Sequence, residues 1–401
     1  MSMNRKTAVM YGAGNIGRGF IGQVFFDSGF EVVFIDIDCD VVAALNERGS
    51  YTQLIIEGDS SERREISRVR AVDGFDREAV ASEIAACDIM AVSVGAAVLP
   101  VVAPVIAEGL ELRGRSFGEQ SSGERSLGGS PFCGQPLNIL VCENLAHAPE
   151  VLRGYVSDSL SDISVLDRVG FVGTTIGRMV PFVSKQERAD DPTLIAVEGF
   201  CTLPMDADAV ILPMPELQHT FMFSPFAFEE QKKLFIHNMG HSLAAYLGAL
   251  KGYEYIWQVM DDSEVRTLVL EAMKASAEAL ASKYNEDRSS LSDYVNDLIS
   301  RFGNKGLGDT VARVGGDPLR KLSPGDRFMG TIDLYKEQGI DYRPVLIGVA
   351  AALRFDAPDD PSADLMRQRM AEFGVFAFLR DYCGMVAEDA ERCIAFYESD
   401  F

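Results

Sequence analysis

Short apolar runs alternate with helical patterns through the first half of the chain. TAVMYG (7–12), EVVFIDID (31–38), DIMAVSVG (88–95) and NILVCEN (138–144) are apolar, largely β-branched and too short for helices, which marks them as strands. Helical patterns separate them, one from about Arg18 and another from Val41 to Arg48. Strands joined by crossover helices predict a parallel sheet wound on both faces. From about Phe200 the apolar period lengthens, with amphipathic patterns over 226–251, 260–284, 290–302, 343–353 and 362–396. The expected organisation is therefore α/β: a doubly wound parallel sheet over 1–200, then a mainly α-helical domain over 201–401. Between Glu111 and Pro136 the chain is dominated by Gly, Ser and charged residues, which predicts a flexible insertion over about 113–136.

The length of 401 residues exceeds what one core usually supports, in keeping with two domains. A formal net charge of −23 disfavours nucleic acid and anionic lipid as partners. No apolar run is long enough to cross a bilayer, and the opening MSMNRKTAVMYG enters a strand rather than a secretory leader, so a cytoplasmic location is expected. Seven scattered cysteines without CxxC spacing argue against a disulfide framework or a structural zinc site. The same acidity repels anionic ligands, so any such ligand needs local positive charge. Arg301, Lys305, Arg313, Arg320, Lys321 and Arg327 supply it within one segment.

Gly12, Gly14 and Gly17, enclosing Asn15 and Ile16, form GxGxxG directly after the first strand. The glycines suit a tight turn, close backbone approach to a pyrophosphate and packing of the following helix, whose N-terminus faces the anion. The motif alone is weak, but the next strand ends at Asp36, where an acid meets the adenosine ribose. A carboxylate there accepts from both ribose hydroxyls and repels a 2′-phosphate, and no Arg follows, so NAD is favoured over NADP. FAD stays open on the motif alone. The N-terminal domain is thus expected to be Rossmann-type. Val94, Glu143 and Asn144, at the carboxyl ends of later strands, should line the nicotinamide side.

The segment EEQKKLFIHNMGHSLAAYLG places Lys233, Asn238 and His241 on one helix, within roughly 140° of one another. An amine, an amide and an imidazole facing one space can perform acid/base chemistry on a hydroxyl or carbonyl. Lys233 takes or returns the proton once its pKa is lowered by burial or neighbouring cations, and Asn238 steadies the oxygen. His237 and His241 have the spacing of a zinc pair, but no adjacent third ligand completes it, so no metal is expected.

Lys, five residues to Asn, three more to His, then an apolar AAYLG run resembles the active-site helix of the polyol-specific long-chain dehydrogenases/reductases. YGAGNIGRGFIG, CEN and RFGNKGLGDTVARVGGDPLRKLSPGDR extend the resemblance nearly end to end. It implies a metal-independent, NAD-dependent oxidoreductase acting on CH–OH. In that family Lys233 matches the general acid/base, Asn238 the amide on the reacting oxygen and His241 a residue orienting substrate hydroxyls. Asp206, Arg313 and Lys321 match substrate-binding positions. The implied reaction is reversible oxidation of mannitol 1-phosphate to fructose 6-phosphate, with a hexuronate or unphosphorylated polyol as the alternative substrate. The resemblance also implies a monomer or loose homodimer. A nucleotide-binding regulator without turnover is the non-enzyme alternative, against which the intact Lys233, Asn238 and His241 speak. Gly173 and Gly177 stand where members carry Asn or Asp, and Thr202 and Leu203 replace a Glu-Trp pair; these departures bear on the substrate.

Overall fold

A computed structural model describes residues 6–58, 60–121, 135–181 and 190–399. They form two units that divide between Phe226 and Ala227.

The first unit contains β1 (Thr7–Tyr11), β2 (Glu31–Asp36), β3 (Ser50–Glu57), β4 (Ser60–Ser67), β5 (Val69–Asp73), β6 (Ile89–Val92), β7 (Leu137–Val141), β8 (Val169–Gly173), β9 (Ile195–Glu198), β10 (Leu203–Asp206) and β11 (Thr220–Phe223). Six of them make a parallel sheet in the order β5-β2-β1-β6-β7-β8. Side-chain alternation explains the winding on both faces. Ala8, Met10, Val32, Phe34, Ala91 and Leu140 pack into one core, while Val9, Tyr11, Val33, Ile35, Val92 and Val141 pack into another on the opposite face. The strand order reverses between β1 and β6, and the loops after these strands flank the switch point where ligands of such sheets lie.

The strand pattern also missed elements. The hairpin β3–β4 and strand β5 occupy 50–73, where no strand was expected. β3 pairs in parallel with β9 to make a side sheet. That sheet braces the helix after the glycine loop: Tyr51 Oη and Gln53 Nε2 both donate to the carbonyl of Arg18, at 2.7 and 2.8 Å. This carbonyl lies in a π-helical turn, Gly17–Ile21, whose wider spacing leaves backbone groups to be satisfied by side chains.

Two boundaries differ from expectation. The division falls after 226 rather than 200, because the segment after β9 returns to the first unit. Met205 of β10 bridges Thr174, and Asn138 of β7 exchanges two hydrogen bonds with the backbone of Ile211, at 2.8 and 2.9 Å. The insertion expected at 113–136 also begins too early. Leu99–Ser121 is one helix, and buried Arg113 donates to the carbonyls of Ala85, Cys87 and Gln135. Residues 122–134 of that insertion lie outside the described residues.

The second unit is helical. Arg343–Leu353 coincides with its expected range, and Ser263–Tyr284 and Arg288–Phe302 begin within three residues of theirs. The amphipathic pattern over 362–396 is broken by Gly374 and Gly384, at φ 86° and 75°, into Pro361–Phe373, Val375–Ala377 with the π-helical turn Phe378–Tyr382, and Ala387–Glu398. Glycine adopts this left-handed backbone without a Cβ penalty, and the helix cannot continue through it. No helix among the described residues is long and apolar enough to cross a membrane.

Candidate active site

In the first unit the glycine loop has the geometry its sequence implies. Gly12 has φ 101°, and a Cβ there would lie 2.2 Å from the carbonyl oxygen of Ser93, across the switch point. A Cβ on Gly17 would lie 1.9 Å from the oxygen of Gly12. Gly14 is exposed and a Cβ there meets nothing within 4 Å, so the loop is open on that side, where a pyrophosphate could approach the backbone of Asn15 and Ile16. These residues fit a dinucleotide. Asp36 is tied to the loop, since its carboxylate accepts from Ala13 N–H at 2.6 Å and Asp38 N–H at 3.0 Å, and each oxygen keeps a lone pair for a ribose hydroxyl. Ile37 and Phe75, 62% and 72% exposed, follow the carboxyl ends of β2 and β5 and offer a purine ring an apolar surface. Phe75 escaped the sequence reading because β5 itself did.

Glu143 links two strand ends rather than standing free. Its Oε1 accepts from Val94 N–H at 2.7 Å and Gly95 N–H at 2.9 Å, and burial raises its pKa. Asn144 is exposed beside it. Asp206 ends β10 half-buried, accepting from Asp208 N–H at 3.0 Å, with its pKa raised mainly by burial. A cavity of about 430 Å³ lined by Arg113, Arg115 and Arg168 lies at the amino ends of β7 and β8. It is thus at the wrong end of the sheet for ligand chemistry.

In the second unit, Lys233–Asn238 is a π-helical turn between helices Ala227–Lys232 and Met239–Leu250. Sequence periodicity at 3.6 residues per turn cannot register this widening, a feature frequent at functional sites. Lys233 has its pKa lowered to about 8, first by burial and then by the charges of Arg327 and Arg320. Asn238 is half-buried, and its side chain makes no capping hydrogen bond to the helix that follows. His237 and His241 are both pushed well below the ordinary imidazole range by burial and surrounding cations, so both are neutral at pH 7. His241 stacks on Phe302 with ring centroids 4.5 Å apart and planes 8° off parallel. Arg313, Lys321, Arg327 and Arg301 all bear on it electrostatically.

These cations differ in their commitments. Buried Lys321 donates to the carbonyls of Val314, at 2.7 Å, and Gly316, so it caps the helix Val311–Gly315; burial, with Arg327 and Arg320, lowers its pKa to about 7. Arg327 pairs with Asp326 at 2.9 Å and reaches Ser242 at 3.3 Å. Arg313 pairs with buried Asp309. Asp309 also faces His241, a place in the fold that the sequence reading did not give it. Arg327 was read as part of the basic segment but not as a neighbour of Lys233. Among the described residues no group of three His, Cys, Asp or Glu could hold a metal ion.

Both units match models of a single family. The mannitol dehydrogenase Rossmann domain matches residues 6–122 and 129–219, and the mannitol dehydrogenase C-terminal domain matches 226–373. The chain belongs to the mannitol dehydrogenase family. It is 35% identical, over 94% of its own length and 94% of the relative's, to a mannitol-1-phosphate 5-dehydrogenase of Geobacillus thermodenitrificans (strain NG80-2). Among solved structures, a D-sorbitol dehydrogenase in substrate-free form aligns with a TM-score of 0.73 at 17% identity, covering 99% of this chain and 96% of that one. Pseudomonas fluorescens mannitol 2-dehydrogenase, in a ternary complex with NAD and D-mannitol, aligns with a TM-score of 0.68 at 16% identity, covering 99% and 91%. At such identities these two structures speak to the fold. They support a Rossmann-type first unit and a helical second one for this mannitol dehydrogenase family member.

Aromatic rings explain two of its departures. A Cβ on Gly173 would lie 3.0 Å from the ring of Phe226, and one on Gly177 would lie 3.3 Å from the ring of Phe200. An Asn or Asp at either position would require that ring to shift. Leu203, in place of an aromatic residue, is fully buried in β10.

Proposed function

We propose that this chain catalyses the reversible, NAD-dependent oxidation of mannitol 1-phosphate to fructose 6-phosphate. The observation that carries the reading is the gathering of Arg301, Arg313, Lys321 and Arg327 about His241, beside a lysine of lowered pKa, in a chain of net charge −23. Such a concentration against the charge of the whole molecule suits the binding of an anion, and guanidinium and ammonium groups suit a sugar phosphate. The mannitol-1-phosphate 5-dehydrogenase at 35% identity supports the same substrate.

The cofactor's nicotinamide supplies the hydride acceptor in oxidation and the hydride donor in reduction. The chain's own residues manage the proton and the oxygen. In oxidation the neutral amine of Lys233 takes the hydroxyl proton as the carbon gives up hydride; in reduction the ammonium returns it. Asn238 donates its amide N–H to the oxygen as charge develops there. Neutral His241 orients a substrate hydroxyl, and Asp36 selects NAD through the ribose.

The test is NADH consumption with fructose 6-phosphate against fructose. The reading expects fructose 6-phosphate to lead by at least about 10²-fold in kcat/KM, because the bare sugar lacks the charge-assisted contacts that a phosphate makes. Comparable rates on the two sugars, or activity confined to a hexuronate, would overturn it.

A further inference from the structure

Asp309 sits between two groups and serves only one of them. Its Oδ1 accepts from the Arg313 guanidinium. Its Oδ2 is 3.5 Å from His241 Nε2, and neither of these two buried atoms has a hydrogen bond. A buried donor and acceptor left facing each other just out of reach are costly, and a small movement would satisfy both. The His241 ring is held by its stack on Phe302, so that movement falls to Asp309. The restraint on Asp309 is Arg313, whose side chain is 49% exposed against 8% for Asp309. The exposed partner is the one free to leave.

We propose that Asp309 is a positioning residue switched by the substrate's phosphate: the phosphate takes Arg313 from Asp309, and the released carboxylate turns to His241. This rests on the phosphorylated-substrate reading above. A phosphate dianion competes well for a guanidinium, because it offers paired oxygens and more charge than a carboxylate. A buried carboxylate that loses its cation needs another donor, and His241 Nε2–H lies within reach at 3.5 Å. Once Nε2 donates to Asp309, the neutral ring is fixed in the tautomer whose Nδ1 accepts, which is what orienting a substrate hydroxyl requires. Phosphate recognition thereby sets the geometry of a residue that contacts the reacting end of the sugar. Only interactions that differ between the two states can produce this coupling, and the exchange of Arg313 is such a difference.

The experiment measures kcat and KM for NADH consumption with fructose 6-phosphate, with fructose, and with fructose plus inorganic phosphate. It is run on the wild type, Asp309→Asn and Arg313→Ala, with thermal unfolding of each. In the wild type, kcat for fructose 6-phosphate should exceed that for fructose by about ten-fold, and inorganic phosphate should raise fructose turnover saturably. Asp309→Asn should lose about ten-fold in kcat on fructose 6-phosphate with KM unchanged or lower, since nothing then holds Arg313 back. Arg313→Ala should raise KM for fructose 6-phosphate and increase kcat on fructose, with no response left to inorganic phosphate. A purely structural Asp309 would instead raise KM and lower kcat together, and that outcome overturns the proposal. If Asp309→Asn does not fold, Arg313→Ala decides: unchanged fructose turnover that still responds to phosphate overturns it. Wild-type enzyme indifferent to the sugar's phosphate overturns both this and the substrate assignment. A phosphate-dependent wild type without the predicted pattern in the variants overturns the switch alone.

Discussion

The proton-transfer role proposed for Lys233 rests on its position. Burial and the charges of Arg327 and Arg320 lower its pKa to about 8, so the amine becomes available near neutral pH. The sign of the pH dependence follows. Oxidation needs the neutral amine and should rise with pH to a plateau above about 8, whereas reduction needs the ammonium and should fall as pH rises through the same value. Lys233→Ala should cost about 10² to 10⁴ in kcat in both directions, remove this inflection, and leave NADH binding, followed by fluorescence, nearly unchanged. Lys232 is only a partial control. It lies next in sequence and points elsewhere, but it pairs at 2.6 Å with Glu229, whose side chain is 2% exposed. Lys232→Ala therefore leaves a buried carboxylate without its cation and should lower the unfolding temperature through a loss of a few kcal/mol, with its pH profile intact. Equal loss of turnover at both positions, with folding preserved, would refute the assignment of Lys233 as the proton-transfer group.

At the scale of elements, the helix Leu99–Ser121 shows how composition misplaces a boundary. The Gly, Ser and charged residues from 111 onward read as an insertion, yet the first turns of that stretch continue a helix, because Arg113 finds three backbone carbonyls to cap. Those acceptors come from Ala85, Cys87 and Gln135, up to 28 residues away, and no local pattern announces them. The family model leaves out 123–128. Removing 122–134 with a short Gly-Ser joint should therefore keep activity within a few-fold and leave the unfolding temperature nearly unchanged. A deletion that begins at 113, or Arg113→Ala alone, should destabilise by about 1–3 kcal/mol, since it orphans buried carbonyls. Loss of folding on removing 122–134 would show that this stretch packs against the domain.

For the whole molecule, a charge of −23 and a cluster of cations about His241 act on an anionic substrate over different distances. The diffuse negative field repels fructose 6-phosphate from afar and is screened first, whereas contacts inside the cluster are screened only at higher salt. The KM for fructose 6-phosphate should accordingly fall as ionic strength rises from about 0.01 to 0.1 M and climb again towards 1 M, while that for fructose stays flat. A KM that only rises from the lowest salt would mean the acidic surface has no influence on encounter. The sequence by itself determined the two-part α/β organisation, the glycine loop with Asp36 and the helix bearing Lys233 and His241. Each of these is a local pattern: strand and helix periods, a turn that only glycine fits, and side chains a few residues apart. Tertiary structure alone decided the side sheet that braces the glycine-loop helix, the π-helical turn at Lys233, the capping role of Lys321 and the place of Asp309 between Arg313 and His241. Their partners lie far apart in sequence, and what an acid or a cation does is fixed by which charges and carbonyls the fold brings within a few ångströms of it.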